Sequence, residues 1–184
     1  MIQDFILPFI AITLAELGDK TQLAILCLAG KTKKHLDLFF GALLAFAIVD
    51  GLAILLGGVL SRYIPIQSIK IISALLFIGF GFYTILSFKE ESQSCELHNP
   101  FISAFTLILF SEMGDKTQIA AGLFAMDYNP WLVFAGVILA LALLTAVAIF
   151  AGRFVIERLD KRTVAFASGT IFIIIGIVIL TGAF

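Results

Sequence analysis

The sequence predicts an all-α integral membrane protein whose six transmembrane helices form two inverted-topology repeats of three. Three observations carry that prediction. Of 184 residues, 61% are hydrophobic and only 14% charged, with a mean hydropathy of +1.11, where a soluble domain averages ~25% charged. At about 20 residues per span, the length holds six helices and little else. Finally, one stretch occurs twice: Glu-Leu-Gly-Asp-Lys-Thr-Gln at 16–22 and Glu-Met-Gly-Asp-Lys-Thr-Gln at 112–118. The period-2 alternation that a membrane barrel needs is absent.

The apolar segments run, in order, over 5–29, 36–60, 66–88, 100–126, 131–154 and 163–183. The first holds Pro8, is interrupted by the motif at Gly18 and ends at Lys31, Lys33, Lys34 and His35. Gly41, Gly57 and Gly58 give the second the small residues that allow close helix contact. Pro65 separates it from the third. The polar stretch Lys89–Asn99 links the halves, and Pro100 opens the fourth helix. Asn129-Pro130-Trp131 reads as a tight turn with an interfacial aromatic, and Glu157–Arg162 as the last charged loop. Asp4, in place of a basic residue before the first apolar run, argues against a cleaved signal peptide.

The repeat extends beyond the motif. Phe5, Ile6, Phe9 and Ile12 match Phe101, Ile102, Phe105 and Ile108 at an offset of 96; Gly41, Gly57, Ser73 and Gly81 match Gly136, Gly152, Ser168 and Gly176 at 95. Two three-helix units are therefore expected at 1–88 and 100–184, joined by the linker 89–99. Three is odd, so the second unit enters the membrane from the opposite side, an architecture of secondary transporters with a site at the repeat interface. Loop charge sets orientation. Lys31, Lys33, Lys34, Lys89, Arg153, Arg158, Lys161 and Arg162 fall on one side, against Arg62 and Lys70 on the other. The first side is expected in the cytoplasm, with the linker, and both termini outside.

A charged side chain at a bilayer centre costs roughly 2.5–3.5 kcal/mol on insertion scales, so charges placed there twice call for a use. On a continuous helix Glu16 and Asp19 would share a face, as would Glu112 and Asp115. Gly18 and Gly114 lower helix propensity between them, and an unwound turn there would turn backbone carbonyls toward a cavity. Thr21, Gln22, Thr117 and Gln118 add neutral oxygens. The set is all hard oxygen, which suits calcium, magnesium or manganese and not zinc or copper. Lys20 and Lys116, which either tune the carboxylates as counter-ions or snorkel toward water as passive groups, each offset one carboxylate in the formal sum, leaving −2 for the pair of motifs. One divalent ion or two protons would neutralise it, and that competition is the requirement for exchange.

Asp50 matches Thr145 and so breaks the symmetry. It is a candidate proton relay, with an accessory metal ligand or a satisfied polar group as alternatives. Cys27 and Cys95 lack metal-ligand spacing and are expected to be plain structural residues. His35 and His98 are expected in solvated loops, and Glu90, Glu91 and Glu96 on a solvated loop face. Neither a nucleotide-binding pattern nor a catalytic arrangement is present, so no enzyme, no bound cofactor and no nucleic-acid partner are expected. A homo-oligomer stays open.

The doubled Glu-x-Gly-Asp-Lys/Arg-Thr/Ser signature resembles the family once called uncharacterised protein family 0016, grouped in the second calcium:cation antiporter superfamily. Glu16, Gly18, Asp19, Lys20 and Thr21 match its first signature, and Glu112, Gly114, Asp115, Lys116 and Thr117 its second. The resemblance covers the whole chain. It implies exchange of manganese or calcium for protons, with manganese export from the cytoplasm as the usual bacterial role. The motif acids would form the cation site, and the compact chain would sit in a bacterial inner membrane. Two rivals stay open at this stage: a passive divalent-cation channel with the same acidic ring, and a membrane scaffold that uses the acids only for packing.

Overall fold

Eight helices account for almost all of residues 2–17, 19–86, 97–150 and 161–181, which are the residues described by the computed structural model. They are α1 (Ile2–Glu16), α2 (Lys20–Gly30), α3 (His35–Leu60), α4 (Ile66–Leu86), α5 (Pro100–Glu112), α6 (Lys116–Asp127), α7 (Pro130–Phe150) and α8 (Lys161–Thr181). No strand occurs among the described residues. α3, α7 and the stretch Gln67–Leu86 of α4 are long and apolar enough to cross a membrane, and α2, α5 and Gly169–Thr181 are shorter apolar helices.

The helix starts follow from their caps. Asn99 Oδ1 accepts from the N–H groups of Phe101 and Ile102 at 3.0 and 3.3 Å. Asn129 Oδ1 does the same for Trp131 and Leu132 at 3.0 and 3.4 Å. In both places proline follows the asparagine, at the position where a missing N–H costs nothing.

Both motif-bearing segments are broken. α1 ends at Glu16 and α2 starts at Lys20; α5 ends at Glu112 and α6 starts at Lys116. Glu16 and Asp19 therefore flank a break and do not share the face of one continuous helix, and Glu112 and Asp115 do likewise. Gly114 takes φ = +84° at the second break, a conformation that glycine adopts without steric cost.

Packing runs mainly between the halves. α3 lies against α5 and α6, α7 against α1 and α2, α4 against α8, and α3 and α7 against each other. Exchanging α1 with α5, α2 with α6, α3 with α7 and α4 with α8 reproduces these pairings. Glycines show the same reciprocity at atomic detail. Gly41 of α3 lies on the carbonyl of Phe101, and Gly136 of α7 lies on that of Phe5. A Cβ at Gly81 would come within 2.5 Å of Gly169 O, and one at Gly176 within 2.7 Å of Ala74 O. Between them Phe77 packs against Phe124 and Phe172, with ring centres 5.0 and 5.8 Å apart. On the outer surface of α3, Leu36, Phe40, Leu44, Ile48, Leu52, Leu55 and Val59 stand exposed at close to helical spacing. Water would penalise that stripe and hydrocarbon would not.

Two smaller expectations are corrected. Cys27 is disulfide-bonded and not a free structural thiol, a pairing that two cysteines in unrelated segments did not signal. His35 opens α3 and packs edge-on against Phe150 at 5.7 Å, so it is not a loop residue. Gly18, Glu90, Glu91, Cys95, Glu96, Gly152 and the loop residues Glu157–Asp160 lie outside the described residues.

Candidate cation site

The two breaks bring their charged residues together. Asp19 and Asp115 occupy the N-cap positions of α2 and α6 with matching backbone angles, φ −68°, ψ 167° and φ −76°, ψ 165°. Neither carboxylate caps its own helix. Each turn is closed by the backbone instead: Asp19 N–H donates to Glu16 O at 3.2 Å and Asp115 N–H to Glu112 O at 3.1 Å. The aspartate side chains are thereby left to face other groups.

The glutamates are held crosswise. Thr21 Oγ1 donates to Glu112 Oε1 at 2.6 Å, and Thr117 Oγ1 donates to Glu16 Oε1. All four residues are buried. Each half thus supplies the hydroxyl that satisfies the other half's acid, in keeping with the rule that buried polar groups find partners. Gln118 braces the second break: its Oε1 accepts from Gly114 N–H at 2.7 Å and its Nε2 donates to Val49 O at 3.3 Å. That second bond ties the motif to the middle of α3, next to Asp50.

Glu16, Asp19 and Asp115 each place a carboxylate oxygen within 4.8 Å of the other two. Glu112 is not part of this triad. The second oxygen of Glu16 is buried without a hydrogen-bond partner, and so is Gln22 Oε1. Lys116 reaches into the triad, with Nζ 3.1 Å from Asp19, 3.4 Å from Asp115 and 3.7 Å from Glu16. Its counterpart Lys20 has no carboxylate within 4.0 Å among the described residues. Asp50 is buried in α3, near enough for the charges of Glu16 and Asp115 to act on it. Its match Thr145 is buried in α7 with an unpartnered hydroxyl.

Of the residues singled out from sequence, Glu16, Asp19 and Asp115 close on one point, with Lys116 among them. Thr21 and Thr117 act on the glutamates across the halves. Gln118 serves the backbone of the break, and Gln22 is buried nearby with an unused oxygen. The carbonyl of Val49 was missed; its one signal was its place beside Asp50.

Facing carboxylates at two helix breaks, inside helices with apolar exteriors, form a candidate cation site in a chain of membrane-spanning character. The family model described as divalent cation/proton antiporter GDT1 matches residues 4–92 and 100–184, and the chain belongs to that family, within the calcium:cation antiporter superfamily. The family likeness read from the doubled signature is thus shown. The chain is 30% identical to GDT1-like protein 5 of Oryza sativa subsp. japonica, over 89% of this chain and 88% of the relative. It is also 30% identical to GDT1-like protein 5 of Arabidopsis thaliana, over 96% and 95%. A Vibrio cholerae serotype O1 protein named "Putative manganese exporter" is 26% identical over 90% and 84%. No solved structure matches the chain. The protein is accordingly a multi-pass membrane protein of a divalent cation/proton antiporter family, which is a family of transporters and not of enzymes.

Proposed function

We infer that this chain exports manganese from the cytoplasm in exchange for protons, with calcium as the second cargo. The single observation that carries this reading is the oxygen triad of Glu16, Asp19 and Asp115, whose carboxylates converge within 4.8 Å. Glu16 contributes an oxygen that nothing else in its surroundings uses. An all-oxygen set of this kind favours hard divalent ions. The name of the Vibrio cholerae relative supports manganese ahead of calcium.

In this reading the chain crosses the membrane six times. α1 with α2 makes one broken span and α5 with α6 another, and the halves 1–88 and 100–184 are inverted repeats around the site. The reciprocal packing of α3 on α5 and of α7 on α1 supports that arrangement. Broken helices help at such a site because the carbonyl-rich ends of α1 and α5 favour a cation. Glu112 joins the ion shell as the halves move, and Thr21, Gln22, Thr117 and Gln118 complete or orient it. Lys20 and Lys116 tune its charge. Asp50 relays protons between the site and water. The protein resides in the inner (plasma) membrane, with the loop 89–99 in the cytoplasm and both termini outside, and rocking of one half against the other alternates access.

The test is metal flux in proteoliposomes of purified protein, with a pH gradient imposed and manganese or calcium offered separately. Flux that follows the gradient, with proton movement in the opposite sense, is expected. Flux indifferent to the gradient would make the protein a channel. Absence of flux from protein shown to be folded and inserted would remove the transport reading altogether.

A further inference from the structure

Lys116 stands where the cargo ion would stand. Its ammonium lies 3.1–3.7 Å from Asp19, Asp115 and Glu16, the same three residues whose carboxylate oxygens converge within 4.8 Å. A divalent cation bound among those oxygens and an ammonium in contact with all three residues are like charges without room for both. The side chain is tethered to the first residue of α6 and is partly exposed, 15% of its surface, so a path out toward water is open to it. Lys20 has the same place at the start of α2. Transposed by the repeat, the contacts of Lys116 become contacts of Lys20 with Asp115, Asp19 and Glu112. Two of those three acids are already in the triad.

We propose that Lys116 is a built-in competitor for the cation seat: its ammonium fills the carboxylate triad when no metal is bound, the metal displaces it, and Lys20 fills the corresponding seat in the opposite conformation. This deepens the exchange reading above and rests on it. A site with three converging carboxylates and no cation would repel itself. A tethered ammonium lets the metal-free carrier keep its packing on the return leg, while the exchanged protons ride on the site's other carboxylates. The seat then stays filled throughout the cycle, by metal, by one lysine or by the other.

The alternative is a lysine that only props the acids in place, and the two roles predict opposite signs. A prop, once removed, leaves the carboxylates to splay and weakens metal binding. A competitor, once removed, ceases to reduce the fraction of protein able to bind, and apparent affinity rises. Calorimetric titration of purified protein with Mn2+ alone decides between them. Lys116→Gln is expected to bind about tenfold more tightly than wild type, the gain from lifting a competitor that holds roughly nine-tenths of the seats. Its proton-coupled flux should slow at the same time, because the emptied carrier lacks its stand-in. Lys116→Arg keeps a tethered cation and should bind as wild type does.

Unchanged or weaker binding by folded Lys116→Gln would overturn the proposal. Should that variant fail to fold, acylation of wild type by an amine-specific reagent, read by mass spectrometry, separates the same two roles. Saturating Mn2+ should raise labelling at Lys116, and labelling that Mn2+ leaves unchanged would overturn the displacement. If wild type itself binds no Mn2+, the cation site fails, and that failure is distinct from a wild type that binds while Lys116→Gln gains nothing.

Discussion

The two motifs share six of seven letters, yet they do not hold the same positions. In the second, Lys116 makes three ion pairs with carboxylates, one in its own motif and two in the other. In the first, Lys20 makes none among the described residues. Glu16 belongs to the oxygen triad and Glu112 does not. The helices beside them differ as well, with Asp50 in α3 and Thr145 in α7. The lesson is one of occupancy. Under the proposed reading, one cation seat shared by two equivalent motifs is open to two like side chains, so any single arrangement must be lopsided. The Asp50–Thr145 difference is of another kind, because it is written in the sequence and persists in every arrangement.

The largest effect should come from removing the acids that both halves share. Asp19→Asn and Asp115→Asn should each cut manganese flux by on the order of 100-fold or more, since losing even a group that only supports a metal ligand costs about 10–100-fold. Both proteins should remain inserted. Wild-type flux in either would break the shared-site picture. Next comes the permanent asymmetry. Asp50→Asn should uncouple flux from the pH gradient while Mn2+ still binds, and adding Thr145→Asp to that variant asks whether the carboxylate works from the other half. Flux that still follows the gradient in Asp50→Asn would remove the relay role.

The crossed threonines offer a subtler comparison. Thr21→Val and Thr117→Val each orphan a buried carboxylate oxygen, at about 1–3 kcal/mol. Thr117→Val should lower thermal stability more, because Glu16 already carries one unpartnered oxygen. Equal losses would mean that the two halves are energetically alike despite the lysines. The smallest effect separates two glycines of α4. Gly81→Ala should destabilise, since its Cβ would press on Gly169 O at 2.5 Å, whereas Gly79 has nothing within 4 Å. Gly79→Ala should gain roughly 0.5–1 kcal/mol of helix propensity, read as a small rise in melting temperature.

How much of this was legible in the sequence depends on which differences the letters record. The repeat, the helix breaks at the motifs and the oxygen-only donor set could be read, because duplication and composition are explicit in the chain. Placing Glu16 and Asp19 on one helical face failed because spacing arguments assume an unbroken helix, and Asp19 in fact caps the next one. The crossing of Thr21 to Glu112 and Thr117 to Glu16 was hidden, since each motif holds its own threonine and its own glutamate and nothing local says that they prefer their counterparts. The unequal lysines were hidden for a deeper reason: identical letters cannot state which of two equivalent positions is filled. The disulfide of Cys27 left no pattern to read.

The crossed hydrogen bonds also bear on how the chain is made. Glu16 emerges from the ribosome well before its partner Thr117, which lies 101 residues later, while Glu112 finds Thr21 already in place, 91 residues behind it. For most of synthesis the first half is a membrane segment with an acid that nothing in its own half satisfies. The hydrogen bond of Glu16 can form only once α6 has been made, so the first half completes its buried contacts late. An arrest placed between the halves would leave the nascent first half exposed to quality control, with that lone glutamate as its mark of incompleteness.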